Sequence, residues 1–293
     1  MKTNILLIFT LITSLTVAQD FQGKAYYFSK TSMDMNFGRR QMSEDQKKAI
    51  AERMKSAFEK TFVLTFDKNS SVYKEEAQLE ATGNGGRWGA MFSGLTSNNY
   101  YKNIKEGEYY DQREFYGKNF LIKDTLTKYS WTMVNETKKI GNYTCFKAVA
   151  TAKTSETMDF GSIRQKARER RRKEEKNGGA SSETREELNI PKRPEEIEIV
   201  AWYTPEIPVN QGPGEFWGLP GLILEIQQGR TSLLCNKIVL NTKEKEEIKK
   251  PSKGKEVSQA KFDEITEKKV EEMIEQFSTQ RRGQGRAGGG RRN

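Results

Sequence analysis

The sequence predicts an α+β fold that is mainly β: a curved antiparallel sheet of roughly 9–11 strands, with one packed helix and a C-terminal helix. Between residues 99 and 153, short segments rich in tyrosine, phenylalanine and threonine follow one another, and Gly107, Gly117 and Gly141 separate them. Connections this short join antiparallel neighbours. Apolar residues recur at helical spacing in two further segments, which predicts the two helices.

The strand candidates are short runs of β-branched and aromatic residues bounded by turn residues. Lys68, Asn69 and Ser70 separate two of them and predict a hairpin. In chain order, we predict strands at 21–31, 61–67, 71–76, 100–104, 108–115, 119–124, 129–135, 143–151, 199–203, 222–226 and 232–240.

The two helices are predicted from their caps and their apolar faces. Ser43 begins the first with a capping box that Gln46 completes, and an apolar stripe continues to residue 60. The second covers residues 257–277, where apolar side chains including Phe262 and Ile265 fall on one face. Packing of the first helix onto the sheet is the expected role of its stripe.

Residues 1–18 are typical of a secretory signal peptide. Lys2 precedes an apolar segment that threonines interrupt, and small residues lie before Gln19. This segment is too short and too polar to span a bilayer, and no later apolar run is long enough. We therefore expect an exported protein in the periplasm or outside the cell; association with the outer membrane stays open.

Residues 19–256 are predicted to form a single β-rich domain, and residues 257–280 the C-terminal helix. The formal net charge of the whole chain is +10, and two basic segments carry much of it: an insertion at 160–196 and a tail at 281–293. Both are poor in apolar residues, which predicts a solvated insertion and a disordered tail. Behind a signal peptide we expect acidic envelope surfaces as partners of these segments and no nucleic acid.

The sequence contains no histidine, which excludes histidine-based nucleophilic catalysis and histidine metal ligands. No catalytic residue, metal or cofactor is predicted. Carboxylate catalysis stays possible, and Glu206, Glu215 and Glu225 are its candidates; a solvated or salt-bridged role is the simpler interpretation.

Cys145 and Cys235 are the two cysteines, and both lie in predicted strands. In an exported protein they can form a disulfide bond, which we predict; two buried free thiols are the alternative.

The segment from 205 to 221 contains four prolines and four glycines and joins two apolar strands. We expect a stiff loop of defined shape. Pro220 and Gly221 predict a type II turn at 219–222, with Gly221 at a positive φ. Phe216 and Trp217 either line a binding surface or cover the end of the core.

The hexapeptide Gly218, Leu219, Pro220, Gly221, Leu222, Ile223 spells GLPGLI, and Trp202–Pro208 precedes it. These motifs, with residues 140–148, resemble the GLPGLI family of exported Bacteroidetes proteins. That resemblance implies an envelope protein with no established activity and no catalytic residues to carry over. By the same analogy, the sheet would be a half-barrel similar to the periplasmic lipoprotein carriers.

Three functional hypotheses follow. The first is a non-enzymatic envelope protein that binds an apolar ligand or a partner protein in the concavity of the sheet. The second is a structural or assembly factor at the outer membrane without a ligand pocket. The third and weakest is a carboxylate-based hydrolase. The predicted binding residues of the first hypothesis are Trp202, Tyr203, Phe216, Trp217 and Leu219.

Overall fold

A computed structural model describes residues 21–32, 43, 45, 59–76, 99–153, 196–241, 245–269 and 272. These residues form twelve strands and a helix, α1, over residues 259–269. The strands are β1 (Gly23–Thr31), β2 (Glu59–Phe66), β3 (Ser70–Glu75), β4 (Asn99–Asn103), β5 (Glu108–Phe115), β6 (Lys118–Thr125), β7 (Thr132–Ile140), β8 (Tyr143–Lys153), β9 (Glu196–Thr204), β10 (Leu222–Gln228), β11 (Thr231–Leu240) and β12 (Lys255–Val257).

All twelve strands belong to one open sheet in the order β12-β6-β5-β4-β3-β2-β1-β11-β10-β9-β8-β7. Neighbours pair antiparallel, except that β12 runs parallel to β6. A flat sheet would place β6 and β7 about 48 Å apart, because adjacent strands are about 4.8 Å apart. Residues 126–131, which join these two strands, can span at most about 25 Å. The sheet must therefore curl, and the predicted curved, mainly β fold is confirmed.

The strand predictions agree with the structure to within a few residues in most places. The exception is 129–135: β7 begins at Thr132, and Tyr129 and Trp131 belong to the connection from β6. We call residues 126–131 the crossover segment. The sequence pattern there is strand-like because both aromatic residues pack against the core, although neither pairs with a neighbouring strand.

The ends of both predicted helices need correction. Glu59 and Lys60 belong to β2, where they pair with β1 rather than ending a helix. Val257 belongs to β12, where it pairs with Ile122. Strand pairing thus overrides helical spacing at these positions. Asp45 is helical, while most of the first predicted helix, the signal peptide, residues 160–195 and the tail lie outside the described residues.

The core consists mainly of two clusters of buried side chains. The larger one includes Tyr27, Leu64 and Phe66 and extends to Phe262 of α1. Phe262 is 1% exposed and its ring packs edge-on against Phe115 and Phe120. Burying this one ring contributes about 2–3 kcal/mol to folding, which fixes α1 on the sheet.

The smaller cluster lies where β8, β9 and β10 meet the end of the loop that joins β9 to β10. It contains Ala148, Tyr203, Phe216, Leu219 and Ile223. Within the described ranges, no helix has both the length and the apolar character needed to cross a membrane.

Candidate functional site

The loop over residues 205–221, which we call the central loop, is part of the packed core. Ile207 and Val209 are buried in the larger cluster, whereas Phe216 and Leu219 are buried in the smaller one. The backbone N–H of Leu222 donates to the carbonyl of Ile207 at 3.0 Å. Packing at both ends gives the central loop one defined path.

Lys102 in β4 holds the middle of the central loop. Its side chain is completely buried, and its ammonium nitrogen donates to three carbonyl oxygens. These belong to Gly212 at 2.6 Å, Gly214 at 2.7 Å and Phe216 at 2.8 Å. An ammonium has three N–H donors, so this arrangement uses all of them.

Two effects act in opposite directions on the pKa of Lys102. Burial lowers the pKa to about 7, and the nearby charge of Glu215 raises it in part. The three carbonyl oxygens also favour the charged ammonium, because only this form donates all three hydrogen bonds. The geometry therefore stabilises a protonated Lys102 inside the core.

The predicted type II turn at 219–222 is wrong. Gly221 does not adopt a positive φ; among the described residues, the central-loop glycines that do are Gly214 and Gly218. Instead, the N–H of Gly221 donates to the carbonyl of Leu219 at 2.8 Å, which is a tighter turn centred on Pro220. Glycine is required at 221 for another reason: a Cβ there would lie 2.2 Å from the carbonyl oxygen of Thr204.

Two tryptophans join the central loop to the crossover segment. The indole N–H of Trp131 donates to the carbonyl of Trp217 at 2.9 Å. The indole N–H of Trp217 donates to the carbonyl of Thr127 at 2.8 Å. Gly218 has a φ of +94°, and its position lies beside the Trp131 indole. The crossover segment is therefore fixed on the central loop by two reciprocal hydrogen bonds.

Glu215 lies between the peptide groups that Lys102 holds. The residue is exposed, yet protein atoms surround it so densely that burial is the main cause of its raised pKa. Exposure measures access to water, whereas the surrounding atoms determine how well the charge is solvated. Glu215 therefore keeps access to water while the pKa of its carboxyl group is raised.

Three tyrosines lie near enough for the charge of Glu215 to influence them, and two of these, Tyr100 and Tyr109, are buried. Tyr129 of the crossover segment is within hydrogen-bonding reach of Glu215, and its ring packs 5.5 Å from that of Phe216. Tyr100 and Tyr109 stack on each other with ring centroids 5.1 Å apart. Burial raises the pKa of all three hydroxyls, and the charge of Glu215 adds to the effect. We call Glu215, Tyr100, Tyr109 and Tyr129 the Glu215 site.

The pairing register explains why these groups meet. Lys102 lies opposite Tyr109, and Tyr100 lies opposite Asp111, so strand alternation puts all four on one face of β4 and β5. Lys102 reaches the central loop from this face. Arg113 continues the row, and its Nε donates to the buried Asp111 carboxylate at 2.7 Å.

The structure does not bring the five predicted binding residues to one surface. Trp202 packs in the larger cluster, beneath the Lys138 ammonium at 4.3 Å from its ring centroid. Tyr203, Phe216 and Leu219 are buried in the smaller cluster. Trp217 is half-buried and next to the Glu215 site. The motif residues Gly218, Leu219, Pro220, Gly221, Leu222 and Ile223 form the turn into β10. Leu219, Leu222 and Ile223 pack in the core, whereas Gly218 and Pro220 are exposed.

The three candidate carboxylates have separate partners. Glu206 accepts a hydrogen bond from the backbone N–H of Thr144 at 2.8 Å. Glu225 pairs with Lys138 at 2.5 Å, and Glu215 lies beside Tyr129. Paired-carboxylate chemistry requires two acids that face each other, and these three do not. Within the described residues, no three cysteine, aspartate or glutamate side chains are grouped to hold a metal ion.

Cys145 and Cys235 are buried free thiols in the structure. Burial raises their pKa values, to about 11 for Cys145 and about 12 for Cys235. The neighbouring Cys145 adds to the raised pKa of Cys235. Their oxidation to a disulfide stays a prediction.

Sequence reasoning did not find Lys102, Tyr100, Tyr109 or Tyr129 as site residues. One signal was present: Lys102 interrupts the otherwise aromatic start of β4 at a position whose alternation points it inward. Its partners are backbone carbonyls, which leave no trace in the sequence.

A family model described as "Protein of unknown function (Porph_ging)" matches residues 131–225. The match begins at Trp131 and includes the central loop, so it covers both residues of the Trp131–Trp217 hydrogen bond. No curated protein matches the chain.

Among the solved structures that resemble the chain are two with similar TM-scores. They are described as "Structure of PNGF-II in C2 space group" and "Structure of PNGF-II in P21 space group". Their TM-scores are 0.45 and 0.44, with 12% sequence identity over 84% of this chain. The chain spans about a third of their length, 32% and 33%. A likeness at this level assigns neither a fold nor a function.

Proposed function

We propose that the chain is a non-enzymatic exported protein of the cell envelope, of the GLPGLI type, that binds an apolar ligand or a segment of a partner protein. The binding position is the Glu215 site. One observation carries this proposal: Glu215 is exposed in surroundings dense enough to raise its pKa. A charged side chain is costly to hold among densely packed protein atoms, and carboxyl groups with a raised pKa are common at binding sites.

The loop geometry supports the same proposal. Lys102 fixes the peptide groups on both sides of Glu215, and the two tryptophans fix the crossover segment that carries Tyr129. A site whose positions are set before binding loses little conformational freedom when a ligand arrives. The partly exposed ring of Tyr129 provides an apolar contact surface beside the carboxyl group.

The experiment is to express the chain with its leader, purify the exported protein, and analyse the denatured sample by mass spectrometry. We expect a co-purified lipid or peptide in the wild-type protein and a strongly reduced amount in Tyr129→Ala. Phe28→Ala, which removes an exposed ring from β1, is the matched control and should retain the ligand. A ligand-free wild type whose melting temperature does not change with envelope extract would contradict the proposal.

A second candidate function is a structural or assembly factor without a ligand pocket. The burial of Leu219 and Phe216, at 0% and 5% exposure, favours it, because it gives the motif a role in the fold rather than at a surface. Under this function, the purified chain would retain envelope proteins after mild crosslinking and no small molecule. The Tyr129→Ala variant would then behave as the wild type does.

A further inference from the structure

Residues 252–269, which we call the C-terminal segment, contain β12 and α1 and are attached to the sheet by few buried groups. Of their side chains, all of which the structure describes, only Phe262 and Thr266 are buried. The Thr266 hydroxyl donates to the carbonyl of Phe262 inside α1, so it adds no bond to the sheet. Phe262 is therefore the one buried apolar side chain that attaches this segment.

The strand of the C-terminal segment is also a weak attachment. β12 has three residues and pairs parallel with β6, whereas β5 and β6 pair antiparallel over their full lengths. Parallel pairing is slightly less stable per residue than antiparallel pairing. The C-terminal segment is thus held less firmly than the strands beneath it.

β5 and β6 supply the surface that receives the segment. The edge of β6 pairs with β12 through residues 120–122. The rings of Phe115 and Phe120 contact Phe262 edge-on, with centroids 6.0 Å and 5.5 Å away. The guanidinium of Arg113 lies 5.3 Å from the centroid of the Phe262 ring. We call the β6 edge, together with Phe115 and Arg113, the edge cleft.

The chain just before this segment is anchored independently. Lys250 lies 3.9 Å from the ring centroid of Tyr110, and Pro251 is buried. Gly254 then passes close to β6: its φ is +124°, and a Cβ there would lie 2.7 Å from the carbonyl carbon of Phe120. A side chain at 254 would prevent β12 from docking and would leave the residues of the edge cleft unchanged. Release of the C-terminal segment is therefore a local opening that leaves the sheet folded.

We propose that the edge cleft is a docking site for a peptide segment of a partner protein, and that the chain's own C-terminal segment occupies this site in the isolated protein. The partner segment pairs parallel with β6 as an extended strand and continues as a helix that places an aromatic side chain in the cleft. In the chain's own segment, that aromatic residue, Phe262, follows the last strand residue, Val257, by five positions. This inference does not depend on the ligand of the Glu215 site.

The chemistry of the edge cleft favours a peptide as its occupant. The main-chain groups of a sheet edge recognise an extended peptide by adding it as a strand, and neighbouring side-chain pockets give specificity. The rings beside this edge accept a further aromatic ring edge-on. Because the C-terminal segment is tethered, it competes at a high effective concentration. A partner therefore docks when this segment is released.

The test uses the full mature chain and a fluorescent peptide with the sequence of residues 251–269. Two variants weaken the tethered occupant in different ways: Gly254→Ala blocks the docking of β12, and Phe262→Ala removes the buried ring. Fluorescence anisotropy should show that both bind the peptide at least about tenfold more tightly than the wild type, since each weakens the competitor. Lys268→Ala, at an exposed position of α1, is the matched control and should bind as the wild type does. A peptide that carries Phe262→Ala should not bind.

Hydrogen exchange of the wild type provides a second measurement. The amides of residues 255–269 should exchange at least about tenfold faster than those of β5, because local release exposes them while the sheet stays folded. Thermal unfolding confirms that each variant is folded. If one variant does not fold, the other variant and the exchange measurement decide.

Four results would overturn the inference. They are no binding of the peptide to either variant, equal binding of the peptide that lacks the ring, and exchange of residues 255–269 only together with β5. The fourth is a stable wild-type dimer that forms by exchange of the C-terminal segment, seen by light scattering, which would make a second copy of the chain the occupant of the cleft.

Discussion

The ammonium nitrogen of Lys102 lies 2.6 Å from the carbonyl oxygen of Gly212, a residue 110 positions later in the chain. The same nitrogen binds the carbonyls of Gly214 and Phe216. One strand side chain therefore determines the path of the central loop on both sides of Glu215. Stability of the fold and geometry of the Glu215 site depend on the same three hydrogen bonds.

Lys102→Met should destabilise the chain by roughly 3–5 kcal/mol, because it removes a buried charge that donates to three backbone carbonyls. Three backbone carbonyls would lose a charged hydrogen-bond donor. Methionine fills the space of the lysine side chain but donates no hydrogen bond. The measurement is urea unfolding of the mature chain. Lys74→Met, at an exposed position of β3, is the control and should change the free energy of unfolding by less than about 0.5 kcal/mol. Equal stability of the two variants would show that the three hydrogen bonds of Lys102 contribute nothing to the free energy of unfolding.

The sheet could be predicted from the sequence because its signals are local. Glycine and asparagine mark the turns, and aromatic and β-branched residues mark the strands, so β5 was predicted at its observed bounds, Glu108–Phe115. Local signals failed where a distant partner decides the structure. Val257 looks like the start of a helix, but it pairs with Ile122 at the sheet edge.

The site was less predictable for the same reason. Phe216 and Leu219 stand out in the sequence because they lie close to or within the GLPGLI motif, and the structure buries them in the core. Lys102, Tyr100 and Tyr109 gain their roles from the register of β4 and β5 and from a loop more than 100 residues away. Such long-range contacts depend on the topology of the sheet, and neither composition nor periodicity of the sequence predicts that topology.

Glu215→Gln should stabilise the folded protein slightly at neutral pH, by less than about 1 kcal/mol after solvent screening. The pKa of Glu215 is raised in the folded state, mainly by burial. The folded protein therefore binds this proton more tightly than the unfolded chain, and the contribution of Glu215 to stability is lost as pH rises through its folded pKa.

The advantage of the variant should consequently disappear below about pH 4, where the carboxyl group is neutral in both states of the wild type. Unfolding curves of the two proteins at several pH values measure this difference. A variant that is less stable than the wild type at neutral pH would mean that the carboxylate is well solvated in the fold.

Trp131→Phe and Trp217→Phe should each cost about 1 kcal/mol, the typical net value of one hydrogen bond. Both bonds join the crossover segment to the central loop, so the double variant should cost less than the sum. A double-mutant cycle by urea unfolding should give a coupling of at least about 0.5 kcal/mol. Combining either change with Phe28→Leu on β1 provides the additive control. Full additivity of the two tryptophan changes would show that the segments are not linked through this pair.

Cys145 and Cys235 should resist alkylation in the native protein. Their pKa values are raised by burial to about 11 and about 12, and the thiolate is the reactive form, so little of it is present at pH 8. The chain has only these two cysteines, so the mass gained with iodoacetamide counts them directly.

Free thiols should both be labelled as soon as urea unfolds the chain. If the predicted disulfide forms in the exported protein, urea alone will give no labelling and a reductant will be needed. Rapid labelling of the folded protein would contradict the burial of both thiols.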